Sequence, residues 1–260
     1  MGYLLFAPAP IDPETGEVGE NEYNAAFEFV KGGLGDFEDL SETSITELIG
    51  SGISVTVYTT LVAFFFALIL GLLAGLGRIS KNVIIRNIAT AYVEFIRGVP
   101  TLVLIFTVAF VIVPEVSKSL GVENSVPPNT RAIISLAVIY GAFLAEVFRA
   151  GIESISRGQM EAARSLGMNY GQSMRYIILP QALRNISPAL GNDFIAMLKD
   201  SSLVSVLAVR DLTQSARLYA GSSFRFRETY LVLTFLYLTM TLTLSLVLRW
   251  YEQRIRADER

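Results

Sequence analysis

Ile53 to Gly77 runs for 25 residues without a charged side chain, and a second uncharged run of 20 residues extends from Thr229 to Leu248. Coiled as an α-helix, the first would reach about 37 Å, more than the hydrocarbon core of a bilayer at about 30 Å. In lipid the backbone must satisfy its own hydrogen bonds, and a helix does so within one segment. The second run closes on Arg249 and Trp250, a basic and aromatic pair suited to the membrane interface. With 52% hydrophobic and 17% charged residues and a mean hydropathy of +0.48, the chain is too apolar for an ordinary soluble domain.

Three further apolar stretches lie between these runs, each interrupted by charge. Ile88 to Val113 contains Glu94, Arg97 and Pro100; Arg131 to Arg149 contains Glu146; Ile186 to Val209 contains Asp193, Lys199 and Asp200. Ionisable groups inside a membrane are costly unless paired or facing water, so these helices are expected to face one another or a polar path. The sequence therefore predicts an all-α integral membrane protein with about five transmembrane helices.

The chain has no Cys and no His. That excludes disulfides, thiolate nucleophiles and imidazole ligands, so no metal site and no cofactor are expected, nor any nucleic-acid partner. The net charge of −3 conceals an asymmetry: residues 1–50 hold 11 acids against Lys31 alone, leaving 20 basic and 13 acidic residues in 51–260. Residues 1–50 read as an acidic, solvated tail with one short amphipathic helix, and 51–260 as the membrane domain. Met1 to Phe6 is too brief for a signal peptide, and no cleavage is expected.

Lys and Arg in the loops set the orientation. Twelve fall on the side of residues 78–86, 149–184 and the C-terminus, and seven on the other. The positive-inside rule puts the C-terminus in the cytoplasm, and an odd number of crossings puts the acidic tail outside. The four arginines of Arg210 to Glu228 oppose this trend, which marks that segment as an interfacial or re-entrant helix rather than a free loop.

The basic loop of residues 152–184 has its own structure. Ile155, Met160, Ala163 and Leu166 follow helical spacing, with Arg157, Glu161 and Arg164 on other faces. Gly167 permits a helix-ending conformation that a Cβ would resist, a second short helix spans Ser173 to Ile178, and Pro180 should stop it. A helix-turn-helix knob results, in which small Ala162 and Ala163 leave room for a partner.

The same loop reads Glu161-Ala162-Ala163, three residues, Gly167, nine residues, Ile177, one residue, Leu179-Pro180. This resembles the cytoplasmic loop by which permease subunits of ABC importers engage their ATPase. Glu146 to Gly151, Leu198 to Leu203 and Tyr92 to Pro100 resemble the polar amino acid branch of that family, which takes up histidine, glutamine or arginine. Val99 stands where Thr is common, and Phe143 where Tyr is expected. The resemblance, from about Gly52 to the C-terminus, implies a permease domain over 51–260 that docks ABC ATPase subunits through Glu161, Ala162, Ala163, Gly167, Leu179 and Pro180. It also implies a second permease copy or paralogue, an extracytoplasmic solute-binding protein and residence in the cell membrane as a multi-pass protein among its lipids.

For the substrate path, Asp193 and Asp200 share a helical face seven residues apart, with Lys199 offset and Ser201 adding a hydroxyl. A zwitterionic amino acid needs both signs of charge, which this cluster offers; the same charges could instead form an interhelical salt-bridge network with Glu94, Arg97 or Glu146. Glu94 and Arg97 stand three apart and can pair on one face, and Pro100 should kink their helix and free a carbonyl. No Gly-Lys pair occurs anywhere, so the chain has no phosphate loop and is not itself the ATPase. An ion-coupled secondary transporter of small polar solutes, with Asp193 and Asp200 as coupling carboxylates, is the alternative reading. A membrane enzyme would need patterns such as H-E-x-x-H or G-x-S-x-G, which are absent.

Overall fold

The computed structural model describes residues 52–121 and 126–257, and the expectations for the acidic tail fall outside them. The described residues form helices α1 (Gly52–Arg78), α2 (Val83–Gly98), α3 (Thr101–Ser119), α4 (Pro128–Glu153), α5 (Arg157–Ser165), α6 (Tyr170–Ser173), α7 (Leu179–Asp200), α8 (Leu212–Ser223) and α9 (Phe226–Ala257), with no strand among them. Two π-helical turns, Val108–Ile112 within α3 and Met174–Ile178 between α6 and α7, and a 3-10 turn, Ser201–Leu207, complete the path.

α1 and α4 form the centre. On α1, Thr59, Ala63, Ala67, Gly71 and Gly75 recur at every fourth position and all are buried. The Thr59 hydroxyl donates to Asn129 Oδ1 (2.7 Å) at one end, while Gly71 lies against Leu144 and Gly75 against Phe148 further along. Residue numbers rise together on both helices, so they run parallel. A Cβ at Gly71 would fall 2.6 Å from the Leu144 Cβ, and one at Gly75 2.8 Å from the Ala145 carbonyl oxygen. Lipid supplies no hydrophobic drive between helices, so close backbone approach across small residues is what gives such a pair its dispersion energy.

Among the described residues four helices are long and apolar enough to cross a membrane: α1, α3, α4 and Phe226–Tyr251 of α9. The second predicted span is displaced. Val99 is extended and Pro100, without an amide donor, begins α3 rather than kinking one long helix, so Ile88 to Val113 divides into amphipathic α2 and membrane-length α3. α2 buries Ala89, Val93 and Ile96, and its Tyr92 hydroxyl donates to the Val138 carbonyl of α4 (2.6 Å). The fourth predicted span appears as α7 and its 3-10 extension, which carries Asp193, Lys199 and Asp200 and is not among these four.

Pro180 does not stop a helix: it lies in the first turn of α7, directly after the π turn Met174–Ile178, and the helical path runs on through it. Pro188 lies inside α7 and cannot bond the Arg184 carbonyl, which accepts the Ser187 hydroxyl instead (3.0 Å). The hydroxyls of Thr234, Thr239, Thr241 and Ser245 in α9 likewise donate one turn back, at 2.7 to 2.9 Å. That satisfies polar side chains on a helix whose most apolar window is entirely unburied.

The segment marked by Arg210 to Glu228 contains α8, capped by Asp211, whose side chain accepts from the Gln214 amide (2.8 Å). The Leu212 amide donates to Thr56 Oγ1 (3.1 Å), tying α8 to the start of α1.

Gly71→Ile should therefore lower the thermal stability of the detergent-solubilised protein, by about 1–3 kcal/mol of overpacking. Gly98→Ala, where no atom lies within 4 Å of the new Cβ, should leave the melting temperature unchanged. Equal melting of the two variants would contradict the seam.

Burial pushes the Asp211 carboxyl from 3.8 up to about 6, an effect that hydrogen bonds from the backbone at Gln214 and Thr213, and then the nearby Arg217, only partly offset. The folded state thus holds the proton more tightly than the unfolded chain: the associated stability is present in full below about pH 4 and is lost as pH rises through about 6. Asn caps as well as Asp. Asp211→Asn should flatten the fall in melting temperature between those pH values; melting curves parallel to those of the native chain would refute the assignment.

Candidate functional site

The loop between α4 and α7 is a folded knob. Only Ser154, Ile155 and Ser156 separate α4 from α5, so α5 is held close to the end of α4. α5 closes with two bonds that define a Schellman turn: the Gly167 amide donates to the Arg164 carbonyl (3.0 Å) and the Met168 amide to the Ala163 carbonyl (3.2 Å). The turn requires a left-handed residue, and Gly167 has φ +82°. Asn169 then opens α6 with a reciprocal capping box to Gln172, at 2.9 Å in both directions. The predicted first helix, Ile152 to Leu166, is in fact the end of α4, a bend and α5. The predicted second helix begins earlier, at Tyr170, and runs on through the π turn into α7.

Beneath the knob, Ile152, Ile178 and Ala182 form a buried cluster with Leu76 and Ile79 from the end of α1, Ile155, Met160 and Met174. The knob is thereby packed on α1, α4 and α7 together. Its outer surface presents Glu161, Ala162 and Pro180, with Leu166 at 83% exposure. Ala163 is only 4% exposed and packs inward, so of the two small residues expected to admit a partner only Ala162 faces out. Leu179 is half-buried.

The intramembrane charges fall into two groups. In the first, the Tyr140 hydroxyl of α4 donates to Asp200 Oδ2 (2.9 Å), with Asp193 on the same helix as Asp200 and one of its oxygens fully buried. Lys199 is exposed. Ser201 is buried and its hydroxyl donates to the Leu198 carbonyl (2.7 Å), so it adds no hydroxyl to the cluster.

In the second group, Arg78 at the end of α1 donates to Glu146 Oε2 of α4 (2.6 Å) and Glu94 Oε1 of α2 (3.1 Å). Glu146 also pairs with Arg149, and Arg149 with Glu153 (2.5 Å), the last residue of α4. Glu94 pairs with Arg78 rather than, as the spacing suggested, with Arg97 three residues on. Glu94 is 62% exposed, so its contact is worth about 0–1 kcal/mol; Arg78 and Glu146, at 14% and 27%, are shielded from solvent and more tightly held.

Among the described residues, no ion pair links Asp193, Lys199 or Asp200 to Glu94, Arg97 or Glu146, and no cluster of three His, Cys, Asp or Glu side chains could hold a metal. Pro100 is exposed and belongs to neither charged group. Sequence reasoning missed Arg78 and Tyr140. Arg78, which ends an uncharged run, carried a signal in its position; Tyr140 carried none, and its neighbour Phe143 only lies tilted beside it, ring centres 5.8 Å apart.

A helical membrane chain with this knob and no phosphate loop is the membrane-spanning subunit of an ABC importer, with ATP hydrolysed by a partner. The chain belongs to the family described as binding-protein-dependent transport system inner membrane component, which matches residues 67–257. The "Probable amino-acid permease protein YxeN" of Bacillus subtilis is 37% identical over 202 residues, covering 76% of this chain and 87% of that protein. The "Glutamine transport system permease protein GlnP" of Escherichia coli is 34% identical over 209 residues, covering 80% and 93%. Among solved structures, that of an amino acid ABC transporter with histidines superposes with a TM-score of 0.69 at 39% identity, covering 83% of this chain and 97% of that one.

The turn geometry makes a direct prediction. A β-branched side chain in the left-handed region is strained by about 1–2 kcal/mol, whereas Asn tolerates it. Gly167→Val should speed limited proteolysis within residues 152–184, and Gly167→Asn should leave it close to native. Equal cleavage rates in both variants would show that the turn does not depend on the glycine.

Proposed function

We propose that this chain is the permease subunit of an amino acid importer that works by alternating access, with its knob as the docking and transmission element for the ATPase. In this reading residues 51–260 make five crossings, α7 being the fourth, with the knob and C-terminus in the cytoplasm and the tail of residues 1–50 outside. Glu161, Ala162 and Leu166 meet the ATPase surface; Gly167 holds the turn, Ala163 and Leu179 pack the knob on the membrane helices, and Pro180 starts the return helix. Closure of the ATPase dimer on ATP moves the knob, and α4 and α7 move with it. The observation that carries this reading is the cluster of Ile152, Ile178 and Ala182, which joins an exposed loop to three helices as one packed unit.

Asp193, Asp200 and Tyr140 line the path in this account and meet the ligand's ammonium, with Lys199 available to its carboxylate. A second permease copy or paralogue closes the path, across apolar faces such as Val83, Ile84 and Ile88 of α2 and the unburied face of α9. An extracytoplasmic solute-binding protein delivers the ligand. Family membership disfavours the ion-coupled alternative, since importers of this class draw on ATP.

One experiment separates dock from path. Complexes purified with their ATPase and reconstituted in proteoliposomes are assayed for partner retention, ATP hydrolysis and uptake. Glu161→Lys should lose the partner and uptake while still reaching the membrane. Asp200→Asn should retain the partner and basal hydrolysis but lose uptake. If Glu161→Lys keeps the partner and normal transport, the knob is not the dock; if Asp200→Asn transports normally, the path lies elsewhere.

A further inference from the structure

We propose that Arg78 is a coupling residue: it ties α2 to the knob-bearing end of α4, and this converts ATPase motion into opening of the path. The inference rests on the transport reading above but concerns a residue that the knob and the path do not include. Arg78 ends α1 and is largely shielded, yet it reaches two other helices at once, Glu146 on α4 at 2.6 Å and Glu94 on α2 at 3.1 Å. Glu146 is shared with Arg149, which extends the chain of charges to Glu153 at the junction with the knob. The planar guanidinium is suited to this double role, because its donors point in fixed directions toward separate carboxylates, which an ammonium cannot reproduce.

The location separates this network from a simple staple. α1 and α4 are already locked by the small-residue seam, whose close contacts at Gly71 and Gly75 lie above Arg78. Leu76 and Ile79 flank Arg78 and pack into the apolar cluster under the knob. The end of α1 is thus held to the knob by apolar contacts, whereas α2 meets this assembly through the packing of Ala89 on Gly77 of α1 and, among the described residues, through two polar bonds, the Arg78 contact and the Tyr92 hydroxyl bond to Val138. Arg97 adds a further positive charge facing Glu146, so the cluster of Arg78, Arg97 and Arg149 with Glu94, Glu146 and Glu153 balances to neutrality. A network of balanced charges with a solvent-exposed leg can break and re-form during a cycle, as a dry apolar contact of the same area would not.

The test measures amino acid imported per ATP hydrolysed by the assembled complex in proteoliposomes, together with its melting temperature. Arg78→Gln should assemble with the ATPase and hydrolyse ATP, but its ratio of import to hydrolysis should fall roughly two- to thirty-fold, the range by which residues of a coupling network shift an equilibrium. Arg78→Lys, which keeps the charge without the fork, should fall between Arg78→Gln and the native protein. A ratio equal to native in Arg78→Gln, whatever its melting temperature, overturns the proposal. So does failure of both variants to assemble, which would make Arg78 a folding staple. Absence of uptake by the native complex would instead contradict the transport reading itself.

Discussion

The contact on which the rest of this structure depends is the parallel seam between α1 and α4. In lipid two helices gain nothing by hiding apolar surface from each other, because the tails are as apolar as their side chains. What they can gain is dispersion at close range, and the small residues from Thr59 to Gly75 make that approach possible. The seam also dictates topology: two parallel helices adjacent in space must be joined by a chain that returns across the bilayer, which is the role of α3.

Once that pair is fixed, the remaining elements attach to it in ways suited to their polarity. Amphipathic α2 lies against the end of α1, where Ala89 meets Gly77, and against α4 through the Tyr92 hydroxyl. α8 is tied to the first turn of α1 through Thr56 and Leu212. The knob sits at the other end, closed by a left-handed glycine and seated on apolar side chains of α1, α4 and α7. In the proposed reading, rigidity at the centre and polar contacts at the ends would deliver a push on the knob to whole helices rather than absorb it locally.

The sequence made the helical membrane class legible because uncharged runs such as Ile53 to Gly77 have one physical outcome in lipid. The knob was legible for a similar reason: Gly167 and the periodic apolar residues around it express local geometry, and φ at Gly167 is what the reading requires. Prolines were less readable. Pro100 and Pro180 each remove a donor, but removal ends a helix, begins one or kinks one depending on where the neighbouring turns lie; Pro100 begins a helix here, and Pro180 sits where a π turn passes into α7. Charge pairing was least readable. Glu94 and Arg97 have the spacing of a pair, yet an arginine 16 residues earlier takes the carboxylate, because tertiary packing brings the end of α1 to it. The Tyr140 bond to Asp200 joins residues 60 apart and had no local signal at all.

The central claim is that the outer face of the knob is where the ATPase sits. The chain has no cysteine, so a single one can be placed at will. Ala162→Cys puts a thiol on the exposed face of α5, and Leu218→Cys puts one on exposed α8 far from the knob. With a short thiol-to-amine cross-linker applied to membranes containing the whole complex, the account predicts an ATPase adduct from Ala162→Cys and none from Leu218→Cys. Adducts from both in equal yield, or from neither, would contradict it.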